Sequence, residues 1–532
     1  MRTLNRGADT SVRLPWPQQF LLYAMFFVGL ALLHAPLLRL PYFWDEAGYY
    51  VPAARDLYLT GSLIPHSTPS NAHPPLVMAA LAGAWRLFGY APLVTRLVML
   101  AFAAFALLGF FRLARATANS SVACASTGLL AIYPVFFAQS SLAHLDLAAA
   151  GFTLWGLLAY VEDHRGRYVL WFGLAALTKE TAILAPVALF GWELLARLMR
   201  LTKELAPPAG RRVAGVVLLL PLAPLAGWYA YHYWKTGMLL GNPEFVRYNV
   251  TATMNWLRIP LALGIRLWQV FLYFGLWVLT LAAVLAMRRP AIVENGETRA
   301  RIAVWVQMAF AAVVAAYLLF MAAVGGAVLA RYMLPVVPLV ILVFVSTLWR
   351  RLRHWRLLVA VVAIAFVAGL FTNPPYGYSP EDNLAYRDYV VMHAEASRFL
   401  AMRYPETRAR VLTAWPASDE LSRPWLGYVA RPFPVVRIED FTPGQVALAA
   451  AASDRYDLAL AFSTKYQPQR PLLENWVAWQ QIKEKYFGYH RDLAPEQIAG
   501  QLGGRIVFSK KSDGQWVAVI AVEREENAGF HR

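Results

Sequence analysis

The strongest constraint on this chain is the recurrence of long apolar runs. The first extends from about Phe20 to Leu40, and roughly 20 apolar residues suffice to cross a bilayer as a helix. Further runs fall near 92–111, 120–138, 142–161, 168–178, 180–197, 213–233, 260–286, 302–323, 327–349 and 357–372. A backbone in lipid must satisfy its polar groups internally, so such runs read as helices. Composition agrees: 58% of residues are hydrophobic and 15% charged, whereas a soluble domain carries about a quarter charged residues. The expected fold class is a polytopic α-helical membrane protein of about 11 spans. Arg2, Arg6 and Arg13 precede the first run and no small-residue cleavage site follows it, which predicts a retained anchor. The single cysteine, Cys124, excludes an intrachain disulfide; its apolar setting predicts a buried, inert thiol.

The net charge of +17 is unevenly distributed. Residues 376–532 hold 19 basic and 19 acidic side chains, so the excess lies wholly in the apolar part. Nucleic-acid binding would want a basic face on a soluble domain; a basic membrane part fits topology signals and an anionic ligand. With a cytoplasmic amino terminus, the inside loops hold Arg112 and Arg115, Arg165 and Arg167, Arg197–Arg212, Arg288–Arg301 and Arg350–Arg356. Asp45 and Glu46 then face outward, as does everything after Phe371. The expected location is the cytoplasmic membrane, with a periplasmic C-terminal domain.

The turn-rich linker Asn373–Pro380 separates a membrane domain, 1–372, from a second domain, 373–532. There, helix-like stretches (383–403, 471–489) alternate with strand-like runs at Val411–Trp415, Pro434–Ile438, Tyr456–Phe462, Arg505–Ser509 and Gln515–Val522. Ser512-Asp-Gly514 offers a hairpin turn between the last two. The pattern predicts a soluble α/β domain. Without a Gly-rich phosphate loop, metal cluster or nucleophile elbow, its expected role is structural or acceptor recognition.

The stretch PYFWDEAGYY, Pro41–Tyr50, ends the first apolar run with two adjacent acids among aromatics. Acids at a membrane edge are costly unless hydrated, paired or bound. Asp45 to Leu59 reads as an amphipathic helix broken at Gly61, with Tyr49, Tyr50 and Tyr58 suited to the interface. A polar stretch, Pro65–His73, follows; Pro74-Pro75 then opens a second helix, Leu76–Phe88, closed by Gly89.

Trp44-Asp-Glu-Ala-Gly-Tyr-Tyr50, Thr60-Gly61, His73-Pro-Pro-Leu76, Leu87-Phe-Gly89 and Arg96-Leu97 resemble, in order and spacing, the first outer loop of the GT-C glycosyltransferases. The nearest branches are the protein O-mannosyltransferases and the lipid A aminoarabinose transferases. Ala143-His-Leu-Asp146, Leu177-Thr-Lys-Glu180 and Ala330-Arg-Tyr-Met-Leu-Pro335 fit the same pattern, which covers roughly 15–372. The resemblance implies transfer of a sugar from a polyprenyl monophosphate carrier to a protein, lipid or glycan acceptor on the outer face, with inversion. It places the catalytic base at Asp45, with Glu46 in support and a further acid at Asp146. Arg331 and Tyr332, Lys179, Arg247 and His73 are candidates for holding the donor, Arg331 first, because a guanidinium grips phosphate at two points. Tyr49 is a further candidate substrate contact. His73 follows the mannosyltransferase branch's His-Pro-Pro, where the aminoarabinose branch has Lys-Pro-Pro. Asp45, Asp146 and His144 could hold a hard divalent cation, although the spacing demands none. Lys179 and Glu180 could instead pair with each other. A lipid or glycan transporter is the rival reading, but the two matching halves such a protein would show are not evident.

Overall fold

The structure, a computed structural model, describes residues 15–202, 204–205, 214–405, 409–468 and 476–522. Arg2, Arg6, Arg13, much of the Arg197–Arg212 loop and the start of the 471–489 stretch lie outside them. Contacts divide the chain into two compact units, Met1–Pro36 with Ala53–Leu370, and Leu37–Pro52 with Phe371–Arg532.

The first unit is helical. Among the described residues, six helices are long and apolar enough to cross a membrane: Trp16–Leu33, Pro92–Thr117, Glu180–Leu198, Gly215–Thr236, Arg258–Met287 and Val304–Ala323. Leu76–Phe88, Ser120–Ile132, Leu145–Val161 and Trp355–Phe371 are shorter apolar helices. Several expected spans are interrupted where local chemistry stops a helix. The 120–138 run breaks at Tyr133-Pro134, since proline cannot continue the ladder. The 260–286 run kinks at Phe274 and Gly275, both at positive φ (43° and 88°). The 327–349 run opens as the 3₁₀ turn Ala330–Met333 before the Val337–Arg351 helix.

Leu145–Val161 is the centre of this unit. Every residue from Leu145 to Tyr160 is buried, as expected of a helix apolar on all sides. It packs against Pro92–Thr117 and Arg165–Thr178 through small residues. A Cβ on Gly109 would sit 2.6 Å from the Trp155 indole, and one on Gly156 would sit 2.5 Å from the Phe172 ring. Small residues at helix contacts let backbones approach where lipid supplies no hydrophobic drive. The expectation for Cys124 is corrected: it is exposed. Its helix buries Val122, Ala123, Ser126, Thr127, Leu129 and Leu130, so Cys124 falls on the opposite face.

In the second unit, β1 (Val411–Ala414), β2 (Val435–Ile438), β3 (Leu458–Phe462), β4 (Gly504–Ser512) and β5 (Gln515–Val522) form one sheet in the order β2-β1-β3-β5-β4. β2, β1 and β3 are parallel; β5 is antiparallel to β3 and β4. β1 and β3 are wholly buried, matching the near-continuous apolar character of parallel strands. Asp513 and Gly514 both take positive φ (32° and 85°) in the β4–β5 turn, the conformation a two-residue hairpin requires.

Candidate functional site

A buried polar cluster sits at the amino end of the Leu145–Val161 helix. Asp146 occupies the helix's first turn and is 3% exposed. Its Oδ1 accepts a hydrogen bond from Lys179 Nζ at 2.5 Å, and its Oδ2 lies 3.3 Å from Arg331 Nε. Lys179 and Arg331 are themselves buried. Both are delivered by irregular backbone: Lys179 is the extended residue between the Arg165–Thr178 helix and a 3₁₀ turn, and Arg331 lies in the Ala330–Met333 turn. Tyr332 supplies an aromatic face shared by three cations, with Lys179 Nζ 4.2 Å, Arg266 Cζ 5.4 Å and Arg331 Cζ 5.7 Å from its centroid.

His144 extends the cluster. Its Nδ1 is 2.7 Å from Gln139 Oε1, and both ring nitrogens approach Arg331 Nη1, at 3.0 and 3.3 Å. A neutral ring donating from Nδ1 to Gln139 and accepting at Nε2 from Arg331 satisfies all three groups. Arg96, also buried, donates to the Ser141 carbonyl beside His144 at 2.8 Å. Lys179 and Glu180 do not pair with each other: Glu180 Oε2 lies 2.9 Å from His73 Nδ1. His73 also meets Phe245 edge-on, at 5.4 Å between centroids. It follows Ala72, which is at positive φ (56°) and whose carbonyl accepts from Trp228 Nε1 at 2.8 Å.

Arg247 is not brought into this cluster. It is exposed, in the last turn of Pro243–Asn249, and lines a shallow groove with Met238, Leu240, Pro243 and Val246. The expected metal set is not assembled. Among the described residues no three His, Cys, Asp or Glu side chains are placed to hold an ion. Asp146 and His144 face cations, which would repel one.

The Asp45 segment belongs to the second unit. Instead of one helix from Asp45, the chain forms a π-turn, Glu46–Tyr50, and then the helix Val51–Thr60. Trp44 enters it at positive φ (41°), a rare conformation for a bulky residue. Asp45 stands at the N-cap position and is partly exposed, but its carboxylate makes no capping hydrogen bond. Glu46 is fully buried, and its Oε2 accepts from the Phe43 amide at 2.9 Å. Glu46 therefore closes the turn that holds Asp45. Tyr49 packs against Trp415 at 5.6 Å between centroids, and Tyr50 is buried. Nearby, burial pushes the Tyr389 phenol well above its usual range, reinforced by the Glu420 carboxylate and by Tyr428.

Sequence reading missed Gln139, Arg266 and Asp56. Arg266 carried a usable signal: an ionisable residue inside an apolar run is a functional candidate by default. It is fully buried and donates to the Met321 and Leu329 carbonyls and to Gln269. Asp56 organises the polar loop, accepting from the His66 and Ser67 amides at 2.6 and 2.7 Å.

Residues 72–228 match the dolichyl-phosphate-mannose-protein mannosyltransferase family. The match includes His73, His144, Asp146, Lys179 and Glu180, whereas Asp45 and Arg331 lie outside it. No curated protein matches the chain. Among solved structures, the fold resembles ArnT from Cupriavidus metallidurans bound to undecaprenyl phosphate, at 15% identity and a TM-score of 0.51, covering 96% of this chain and 99% of that one. The apo form of the same protein gives 14% identity and 0.51 over 93% and 97%. The oligosaccharyltransferase of Archaeoglobus fulgidus gives 12% identity and 0.47 over 83% and 67%. The family match and the shared fold together support a GT-C superfamily glycosyltransferase, the superfamily that the first-loop residues resemble.

Proposed function

We propose that this protein transfers a sugar from a polyprenyl-phosphate carrier to an acceptor on the outer face of the membrane, with inversion at the anomeric carbon. The observation that carries the reading is the buried cluster of Lys179, Arg331 and Tyr332 around Asp146. A phosphate leaving group gathers negative charge as the glycosidic bond breaks, and preorganised cations in a water-poor site stabilise that charge far better than water does. Arg331 is the principal phosphate ligand and Lys179 a second point charge. Asp146 holds both cations in place, and His144, fixed by Gln139, sets the Arg331 fork. Undecaprenyl phosphate, bound by the ArnT of similar fold, is a carrier of the right class.

Asp45 is assigned as the general base that takes the acceptor hydroxyl's proton. It is the first acid of the loop motif and is partly exposed at the entry to the Glu46–Tyr50 turn, where a hydroxyl can reach it. The amino terminus is cytoplasmic and the C-terminal unit periplasmic in this reading, as the basic loops indicate.

The test is turnover by the purified protein in vesicles, supplied with undecaprenyl-phosphate-linked mannose, glucose or aminoarabinose and with envelope extract from a deletion strain. The expected result is release of undecaprenyl phosphate together with a glycosylated product found by mass spectrometry. Movement of intact carrier lipid across the bilayer with no sugar transferred would establish the transporter reading instead.

A further inference from the structure

We propose that the C-terminal α/β unit positions the catalytic carboxylate, with Trp415 as the key positioning residue. The inference rests on the assignment of Asp45 as base and adds how that base is held. In parallel α/β sheets, ligands bind in the crevice outside the carboxyl ends of the strands, where neighbouring connections diverge. Here β1 lies between β2 and β3. The chain leaves β1 through Trp415 toward β2, whereas β3 leads away to the antiparallel strands. Trp415, at the carboxyl end of β1, meets part of the same polypeptide: Trp44 edge-on at 5.4 Å between centroids and Tyr49 at 5.6 Å.

The fit is close along the segment that carries Asp45. A Cβ on Gly48 would overlap the Trp415 indole, so only glycine lets the turn lie against that ring. Trp44 and Phe43 both meet Tyr389 edge-on, at 5.6 and 5.2 Å. Tyr389 in turn stacks on His393 at 3.8 Å, and His393 Nδ1 lies 2.7 Å from the buried Glu420. Tyr428 donates its hydroxyl to the Tyr42 carbonyl at 2.9 Å. Asp45, like Trp44 before it, is partly exposed, in a segment where Phe43, Glu46, Ala47 and Gly48 are buried. The left-handed Trp44 shows the surrounding packing holding a backbone that its own sequence disfavours, a frequent feature of functional sites.

The test uses the full-length protein in nanodiscs with the variants Trp415→Ala, Trp415→Phe and Gly48→Ala. Hydrogen exchange of the 43–50 amides, read without any donor, should accelerate in Trp415→Ala and Gly48→Ala and stay near wild type in Trp415→Phe. With whichever undecaprenyl-phosphate sugar the wild type turns over, kcat should fall about 10- to 100-fold in the first two variants, with donor KM unchanged. Trp415→Phe should recover most of the rate. Gly48→Ala guards against simple unfolding, because alanine is the better helix former and the substitution lies outside the sheet. Wild-type protection of 43–50 or wild-type kcat in folded Trp415→Ala and Gly48→Ala overturns the proposal, even if Asp45→Asn is inactive. Full activity of Asp45→Asn would instead remove the base assignment and leave the exchange result standing.

Discussion

Asp45 and Asp146 are carboxylates of the same type in opposite settings. Asp146 is buried and bound by two cations, Lys179 and Arg331; Asp45 is partly exposed and directly follows two aromatic residues, Phe43 and Trp44, that pack on other rings. Asp146 is committed to the two cations whose positions it fixes. Asp45 instead stands in a segment held by aromatic packing. Under the proposed function the contrast teaches a division of work between the two acids, with Asp146 building a fixed electrostatic frame and Asp45 handling the proton.

The sharpest break of that comparison is Asp45→Asn. The amide has the same shape but accepts no proton, so transfer should drop by about 10²–10⁴-fold with melting temperature and expression unchanged. Equal turnover in wild type and variant, assayed in vesicles, would remove Asp45 from the chemistry. Asp146→Ala should behave differently. It strands two buried cations, and removing one partner of a buried pair costs about 3–5 kcal/mol, so the melting temperature should fall along with activity. If Asp146→Ala instead melts like wild type and only loses rate, Asp146 acts directly on the reaction and the division of labour fails.

Those two sites were unequally legible in the sequence. The Asp45 loop could be found because its signals are local: consecutive aromatics and acids, then Gly61, Pro74-Pro75 and Gly89 punctuating the helices that follow. The helix ends at Gly61 and Gly89 fall where glycine's positive φ is needed. The Asp146 cluster could only be guessed at as separate residues. Its contacts join positions 33 and 187 residues apart in the chain, and nothing in a periodic pattern says which distant cation an acid will meet. The reading of Lys179 and Glu180 as mutual partners failed for that reason. Adjacency is weak evidence where the extended Lys179 backbone sends the two side chains to different neighbours, Asp146 and His73. The fold's breaks at Pro134 and Gly275 were overlooked because hydropathy registers apolar length and not backbone continuity.

A finer probe of the Asp45 region is Glu46. Glu46→Ala leaves the buried Phe43 amide without its acceptor, which costs about 1–3 kcal/mol, and it frees the turn before Asp45. Glu46→Gln retains an acceptor oxygen and should keep most of both stability and activity. The pair should be compared by thermal melting and by transfer rate. Similar losses in both variants would show that Glu46 contributes its charge to catalysis rather than its oxygen to the turn.

The smallest expected effect compares the two left-handed residues, Trp44 beside Asp45 and Ala72 beside His73 (φ 41° and 56°). A non-glycine residue in this conformation costs roughly 1–2 kcal/mol. Ala72→Gly relieves that cost, but the looser unfolded chain takes back about 0.4–1 kcal/mol, and the lost buried methyl about 0.8 kcal/mol. The net change in stability should therefore be within about 1 kcal/mol of zero, with His73 still held by Glu180 and transfer unaltered. Trp44→Gly relieves the same backbone but removes the ring that meets Phe43, Tyr389 and Trp415. Truncating a large buried aromatic costs about 3–5 kcal/mol, well above what the backbone regains, although the partial exposure of Trp44 places it at the low end. The measurement is a pair of chemical or thermal melts on the full chain. If Ala72→Gly destabilises as much as Trp44→Gly, then the polar loop before His73, and not the aromatic packing around Asp45, is the more tightly specified of the two.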